Sequence, residues 1–162
     1  MAWADKQQLD KTWKEPGDDP ALTILTISGP DGHLPDHAAA ALEARFTDGR
    51  LFEVAVHYRF PGRSPDFVRA RFVTLKKELS LRHGGFRPGG TRRNVDDGLV
   101  IKSEAHRITP AEDRGLVLAY TEVRDEKRGD AAAEFSLLYH NGSVAKRKPT
   151  PAGGGLTTPD EP

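Results

Sequence analysis

Apolar and polar side chains alternate most regularly between Leu51 and Phe60. Five apolar or aromatic side chains share one face of this stretch, at Phe52, Val54, Val56, Tyr58 and Phe60. The positions between them are mostly polar or charged. A period of two residues predicts a β-strand with one buried and one solvent-facing side. The preceding pair Asp48-Gly49 accepts the positive φ angles of a type I′ turn, so the segment predicts a β-hairpin.

A helical period replaces this alternation after residue 64. The apolar side chains of Val68, Phe72, Leu75 and Leu79 recur at the spacing of a core-facing helical stripe. Ser64-Pro65-Asp66 has the residue types of an N-cap, a first helical position and an acid in the first turn. Gly84 is typical of a helix C-terminus. We therefore predict one amphipathic helix over about Pro65 to His83, the only long helix in the chain.

The remaining elements are predicted from composition and turn residues. Ala21–Ser28 is rich in β-branched residues and indicates a strand that is closed by a turn at Gly29–Gly32. Asp36 is expected to cap a short helical turn that passes into a strand near Ala41. Three later strands are expected at Leu99–Ile108, Leu116–Arg124 and Ala131–His140.

The connections between the later elements follow from turn residues. Gly84–Gly98 holds five glycines and no periodicity, so it is expected to be a mobile loop. Thr109–Glu112 indicates a capped helical turn. Asn141-Gly142 is a second hairpin signal, with a short return strand expected over residues 143–145.

These elements predict an α+β fold. The expected order is a hairpin, one long amphipathic helix and three or four further strands. About six mainly antiparallel strands form the sheet, and the helix packs on one sheet face. Residues 1–20 are expected to form a flexible arm, unless Trp3 and Trp13 dock it on the domain or on a neighbouring subunit. Residues 21–145 form the single domain, and residues 146–162 a disordered tail.

Composition excludes several kinds of chemistry. The chain contains no cysteine, which excludes disulfides, thiolate zinc ligands and thiol nucleophiles. No apolar run reaches the roughly 18 residues of a membrane span, so a cytoplasmic protein without a membrane partner is expected. No glycine-rich phosphate motif or nucleophile elbow is present. His33 and His37 lie four residues apart, but the intervening Pro35 argues against a shared helical face, so no metal and no cofactor are expected.

Charge is distributed very unevenly along the chain. The segment 59–93 holds ten basic residues and two acidic ones, in a chain whose formal net charge is +0. Arginines spaced by glycines around an aromatic ring suit nucleic acid, because guanidinium groups pair with phosphates and the ring can stack on a base. The segment therefore predicts a non-enzymatic module for RNA or single-stranded DNA. Its candidate contact residues are Arg63, Arg69, Arg71, Lys76, Arg82, Phe86, Arg87, Arg92 and Arg93.

Two other functions are compatible with the same residues. In the first, the basic segment meets the acidic surface of another copy, which would make the protein a structural or assembly protein and a homo-oligomer. In the second, the protein is a small metal-free ribonuclease that needs a general base, a general acid and a cation. Its candidate residues are the strand pairs Glu53 with His57 and Glu104 with His106, together with Glu122 and Glu134.

Overall fold

The chain folds around one antiparallel sheet of eight strands, in the spatial order β1-β2-β3-β4-β8-β7-β6-β5. The structure is a computed structural model, and it describes residues 5, 8–15, 21–29, 34 and 38–145. One helix of 19 residues, α1, lies between β4 and β5 in the chain. The elements are β1 (Asp10–Lys14), β2 (Leu22–Ser28), β3 (Ala41–Thr47), β4 (Arg50–Arg59), α1 (Pro65–His83), β5 (Arg87–Asp96), β6 (Leu99–Ala111), β7 (Arg114–Asp125), β8 (Asp130–Asn141) and α2 (Gly142–Ala145).

The predicted α+β architecture with about six strands is wrong. Strands make up 60% of the described residues and helices only 18%, so the sheet dominates the fold. Two of its eight strands, β1 and β5, carry no half-buried or buried side chain. A strand without a buried face has no hydrophobic alternation. The periodicity of the sequence therefore could not reveal either of them.

The segment Gly84–Gly98 contains the largest local error. It was expected to be a mobile loop, but Arg87–Asp96 forms β5 and pairs with β6 in antiparallel register. Asp97-Gly98 makes the connection, with φ angles of 42° and 85°. Asp48-Gly49 has the same chemistry, with φ angles of 48° and 70°, and connects β3 to β4 as predicted. Both pairs adopt the positive φ values that two-residue hairpin turns require.

Helix α1 begins and ends where the sequence predicted. Oγ of Ser64 accepts a hydrogen bond from the backbone N–H of Phe67 at 3.3 Å, which satisfies one free donor of the first turn. At the other end, Gly84 has a φ angle of 95°, and its N–H donates to the carbonyl of Ser80 at 3.0 Å. The stripe is buried at Val68, Phe72 and Leu79. The helix bounds and its apolar face are confirmed.

The side chains buried beneath α1 form the core. Phe72 is 1% exposed, and its ring centroid lies 5.4 Å from that of Tyr120 on β7 and 5.9 Å from that of Phe135 on β8. Leu118, two residues before Tyr120 on β7, is fully buried. We call this side of the sheet the helix face and the other side the far face. Because side chains alternate along a strand, each strand contributes every second residue to each face.

Three predicted local features take other structures than expected. Thr109 and Ala111 belong to the end of β6 rather than to a helical turn, because β6 continues its pairing with β7 to Ala111. The expected return strand over residues 143–145 is part of the short helix α2. Of the helical turn expected after Asp36, the described residues 38–40 are not helical, and the N–H of Ala40 donates to the carbonyl of His57 at 2.8 Å. At Thr109–Ala111, strand pairing overrides local propensity.

Part of the expected N-terminal arm belongs to the sheet. Asp10–Lys14 forms β1, which pairs with β2. The ring of Trp13 lies 6.1 Å from that of Phe46, and Leu9 is 5% exposed. These contacts support the alternative in which the arm docks on the domain. Trp3, the turn at residues 30–32, His33, His37 and the tail 146–162 lie outside the described residues.

Candidate nucleic-acid interface

Strand β5 is an edge of the sheet and is exposed along its whole length. It pairs with β6 alone, and all ten of its residues are exposed. Arg93 lies opposite Lys102 on the helix face, whereas Arg92 lies opposite Ser103 on the far face. Arg87 lies opposite Arg107, also on the far face. The three arginines of β5 therefore present guanidinium groups on both sides of one sheet edge.

These three arginines make no ion pair or side-chain hydrogen bond with any other described residue. Other arginines of the same basic segment behave differently. Nε of Arg59 lies 2.9 Å from Oε2 of Glu134, and Nη1 of Arg69 lies 2.7 Å from Oε1 of Glu104. Within the described part of the chain, no acidic side chain thus neutralises these three positive charges through an ion pair.

Strand β6 extends the basic surface by two residues that sequence reasoning missed. Lys102 and Arg107 are exposed and lie directly across from Arg93 and Arg87. Like charges at directly opposite positions destabilise a strand pair. The pairing of Arg93 with Lys102 follows from the two-residue turn at Asp97-Gly98, so recognition of that hairpin signal in the sequence would have predicted Lys102 as a neighbour. A register shift between Pro88 and Gly90 brings Arg87 opposite Arg107, and the turn alone does not predict that pair.

Two of the predicted contact residues on α1 instead connect the helix to the sheet. Besides its ion pair with Glu104, the guanidinium of Arg69 lies 4.7 Å from the ring centroid of Tyr120. Nζ of Lys76 lies 3.1 Å from Nδ1 of His106, and Nε2 of His106 lies 3.4 Å from Oε1 of Glu104. This network connects α1 to β6 and β7. The charged ends of Arg69 and Lys76 therefore already have partners within the fold.

The hydroxyl of Tyr120 lies at the same contact between the sheet and α1, 3.4 Å from the carbonyl oxygen of Pro65. Burial raises its pKa from 10.0 to about 12, and the neighbouring carboxylate of Glu122 adds to the effect. The hydroxyl donates a hydrogen bond to Oε2 of Glu122 at 3.3 Å. Tyr120 therefore stays neutral at physiological pH and acts as a hydrogen-bond donor inside the fold.

The basic residues at the start of α1 form a second, smaller surface. The guanidinium groups of Arg63 and Arg71 lie 5.2 Å and 5.5 Å from the ring centroid of Phe67. All three line a cavity of about 510 Å³ together with Arg59 and Phe60. The predicted contact residues are consequently divided between the helix start and the β5 edge, rather than gathered on one continuous helix-and-loop surface.

The last two predicted contact residues lie near the end of α1. Phe86 is half-buried, packs against the core and lies 6.4 Å from the ring of His106 in an edge-on arrangement. This packing leaves less of the ring exposed for the stacking on a base that the sequence predicts. Arg82 is exposed in the last turn of the helix.

Of the candidate catalytic residues, Glu53 is paired with side chains outside the candidate set, and Glu122 and Glu134 are separated by the sheet. Nη1 of Arg45 lies 2.7 Å from Oε1 of Glu53, whose Oε2 lies 3.5 Å from Nδ1 of His140. Glu122 and Glu134 lie on adjacent strands, but Glu134 is opposite Thr121, so the two carboxylates project from different faces. Among the described residues, no group of three or more His, Cys, Asp or Glu side chains could hold a metal ion.

Comparison with known proteins yields no family. No family model, no curated protein and no solved structure matches the chain. No helix within the described ranges is both long and apolar enough to cross a membrane.

Proposed function

We propose that this protein is a non-enzymatic nucleic-acid-binding module that holds the phosphates of RNA or single-stranded DNA along the edge strand β5. One observation carries the proposal. Arg87, Arg92 and Arg93 project from a fully exposed edge strand, and no described acid lies within ion-pair distance of them. Uncompensated cations on a solvent-exposed edge attract a polyanion through the release of its counterions.

The geometry of the edge suits an extended backbone. A guanidinium group presents a planar fork of donors that matches two phosphate oxygens. From Arg87 to Arg93, a strand covers about 20 Å, and its arginines lie on both faces. A single strand of nucleic acid that follows this edge meets positively charged side chains on both sides of its backbone. The five cations of β5 and β6 on this surface are Arg87, Arg92, Arg93, Lys102 and Arg107.

The other predicted contact residues have smaller or indirect roles in this proposal. Arg63, Arg71 and Arg82 are exposed and add positive charge at the two ends of α1. Arg69 and Lys76 hold the helix against β6 and support the interface without contacting phosphate. Phe86 fixes the start of β5 by packing on the core.

The homo-oligomer hypothesis requires an acidic surface on a second copy. The other sheet edge, β1, does not supply one, since it contains Lys11 and Lys14 beside a single acid, Asp10. Two β5 edges would bring arginines together and repel. A further possibility is that the arginines only protect an exposed edge from pairing with other chains, a common use of charged side chains. That role predicts no affinity for oligonucleotides.

Salt-dependent binding tests the proposal. The affinity of the wild-type protein for a single-stranded oligonucleotide is measured over a range of salt concentrations by fluorescence anisotropy. Replacing Arg87, Arg92 and Arg93 together by Gln should weaken binding and reduce the log–log salt slope by about 2, at about 0.7 per lost contact. The matched control removes the same charge from β1, at the opposite edge of the sheet, and from the start of β4, with Lys11, Lys14 and Arg50 changed to Gln. Equal losses in the two triple variants would contradict a contact surface on β5, and a wild-type protein that binds no oligonucleotide would refute the function.

A further inference from the structure

A concavity lies where the open end of the β5–β6 hairpin meets the end of α1. Its volume is about 490 Å³, within the roughly 300–1,000 Å³ of small-ligand sites. It is lined by two arginines, one from each strand, and by His83 and Thr109. The rest of the lining is Gly84, Gly85, Pro88, Gly89 and Ile108.

The two arginines, Arg87 and Arg107, are direct cross-strand neighbours. Neither makes an ion pair or a side-chain hydrogen bond with a described residue, and the same holds for His83 and Thr109. Two like charges at opposite positions oppose strand pairing, so the arrangement costs stability in the empty protein. An anion between the two guanidinium groups would convert that repulsion into attraction.

The helix dipole does not account for this concentration of charge. The C-terminal end of a helix carries the equivalent of about half a negative charge, and Arg82 in the last turn already lies near it. Two further guanidinium charges, one of them from β6, exceed what the dipole can offset. Glycines at three positions of the lining leave room for a ligand to approach the backbone.

We propose that this concavity binds a phosphomonoester, the group found at a terminus of a nucleic-acid strand. The inference rests on the proposed function, because the bound terminus would continue along β5 toward Arg92 and Arg93. A phosphomonoester carries about −1.5 to −2 charges at pH 7 and three acceptor oxygens, which matches two guanidinium forks better than the single charge of an internal phosphodiester. The hydroxyl of Thr109 and the imidazole of His83 are placed to contact the remaining oxygens.

Three versions of one single-stranded oligonucleotide test this site: 5′-phosphorylated, 3′-phosphorylated and unphosphorylated. We expect one phosphorylated form to bind the wild-type protein at least about tenfold more tightly than the unphosphorylated form, as charge-assisted hydrogen bonds allow. Arg107→Gln should abolish the preference. The control Lys102→Gln, which removes an exposed charge from the same strand outside the concavity, should weaken all three about equally. Equal wild-type affinities for all three forms would overturn the inference and leave the proposed function intact.

A second measurement separates the site from the rest of the interface. Adenosine monophosphate or inorganic phosphate is titrated into the wild-type protein while the imidazole resonances of His83 are followed by NMR. Saturable shifts that Arg107→Gln removes would support the site, even if no oligonucleotide bound and the proposed function failed. If neither ligand shifts these resonances and no terminal-phosphate preference exists, the concavity is not a phosphate site.

Discussion

Replacing Phe72 by Ala should destabilise the fold more than any other change on α1. The ring is 1% exposed and lies within 6 Å of three other rings, those of His106, Tyr120 and Phe135. It is therefore the point where α1 contacts β6, β7 and β8 at once. Removing it leaves a void that strands held by the hydrogen bonds of the sheet cannot easily close.

The magnitude follows from this burial. Truncation of a fully buried phenylalanine costs about 3–5 kcal/mol, through lost transfer free energy and the cavity left behind. Domains of this size have unfolding free energies of about 5–15 kcal/mol, so the change removes a large part of the total. The loss of the tilted ring contact with Tyr120 and of the edge-to-face contact with Phe135 adds to the cost.

Urea denaturation followed by circular dichroism measures the effect. Val73→Ala is the matched control, since Val73 is the next residue of the same helix and is 54% exposed. We expect this control to change the unfolding free energy by no more than about 0.5 kcal/mol. Similar losses in the two variants, or a loss of less than about 1 kcal/mol for Phe72→Ala, would refute the assigned face of the helix.

Three further changes test particular contacts. Gly98→Ala should lower stability more than Gly49→Ala in thermal unfolding. Both glycines have positive φ, so both substitutions strain the backbone. Only at Gly98 does the added Cβ also meet another side chain, that of Lys127 at 3.0 Å. Equal losses would contradict this difference. Because the unfolded chain loses the phenol proton near pH 10.0 and the folded state near pH 12, the stability contributed by Tyr120 should be present below pH 10 and be lost between these values. Tyr120→Phe should remove that part of the pH dependence, and an unaltered profile would contradict the raised pKa. Glu104→Gln should cost at most about 1 kcal/mol, as Arg69 is half exposed, and a larger loss would indicate a stronger link between α1 and β6.

The elements that the sequence predicts well are those with a buried side. Helix α1 has a stripe of large apolar residues and clear signals at both ends, and β4 has a strict alternation. Each pattern arises because one face of the element is removed from water, so it can be identified without knowledge of the neighbours. Asp48-Gly49 is predictable for a different reason, since few residue types tolerate its backbone angles.

Strand β5 could not be found in this way. None of its residues is buried, and its glycines and proline are typical of loops. The available signal was Asp97-Gly98, which has the same turn chemistry as Asp48-Gly49. Its position at the end of a glycine-rich basic segment made a loop the simpler interpretation.

The candidate interface was predictable only in part. Charge clustering identified Arg87, Arg92 and Arg93. It could not show that Arg69 is paired with Glu104, because their side chains meet only after α1 docks on the sheet. The contribution of Arg107 depends on strand register, which charge alone does not reveal. Composition therefore indicates a kind of partner, while the fold determines which cations remain available to it.

Backbone NMR during titration with a single-stranded oligonucleotide tests the central proposal most directly. At about 50 mM salt, where phosphate contacts are strong, we expect the largest amide shifts in Arg87–Asp96 of β5 and in the facing residues of β6. The amides of β1, at the opposite edge of the sheet, should remain unchanged. Shifts confined to the start of α1 near Arg63 and Arg71, or no shifts at any oligonucleotide concentration, would contradict a nucleic-acid interface on β5.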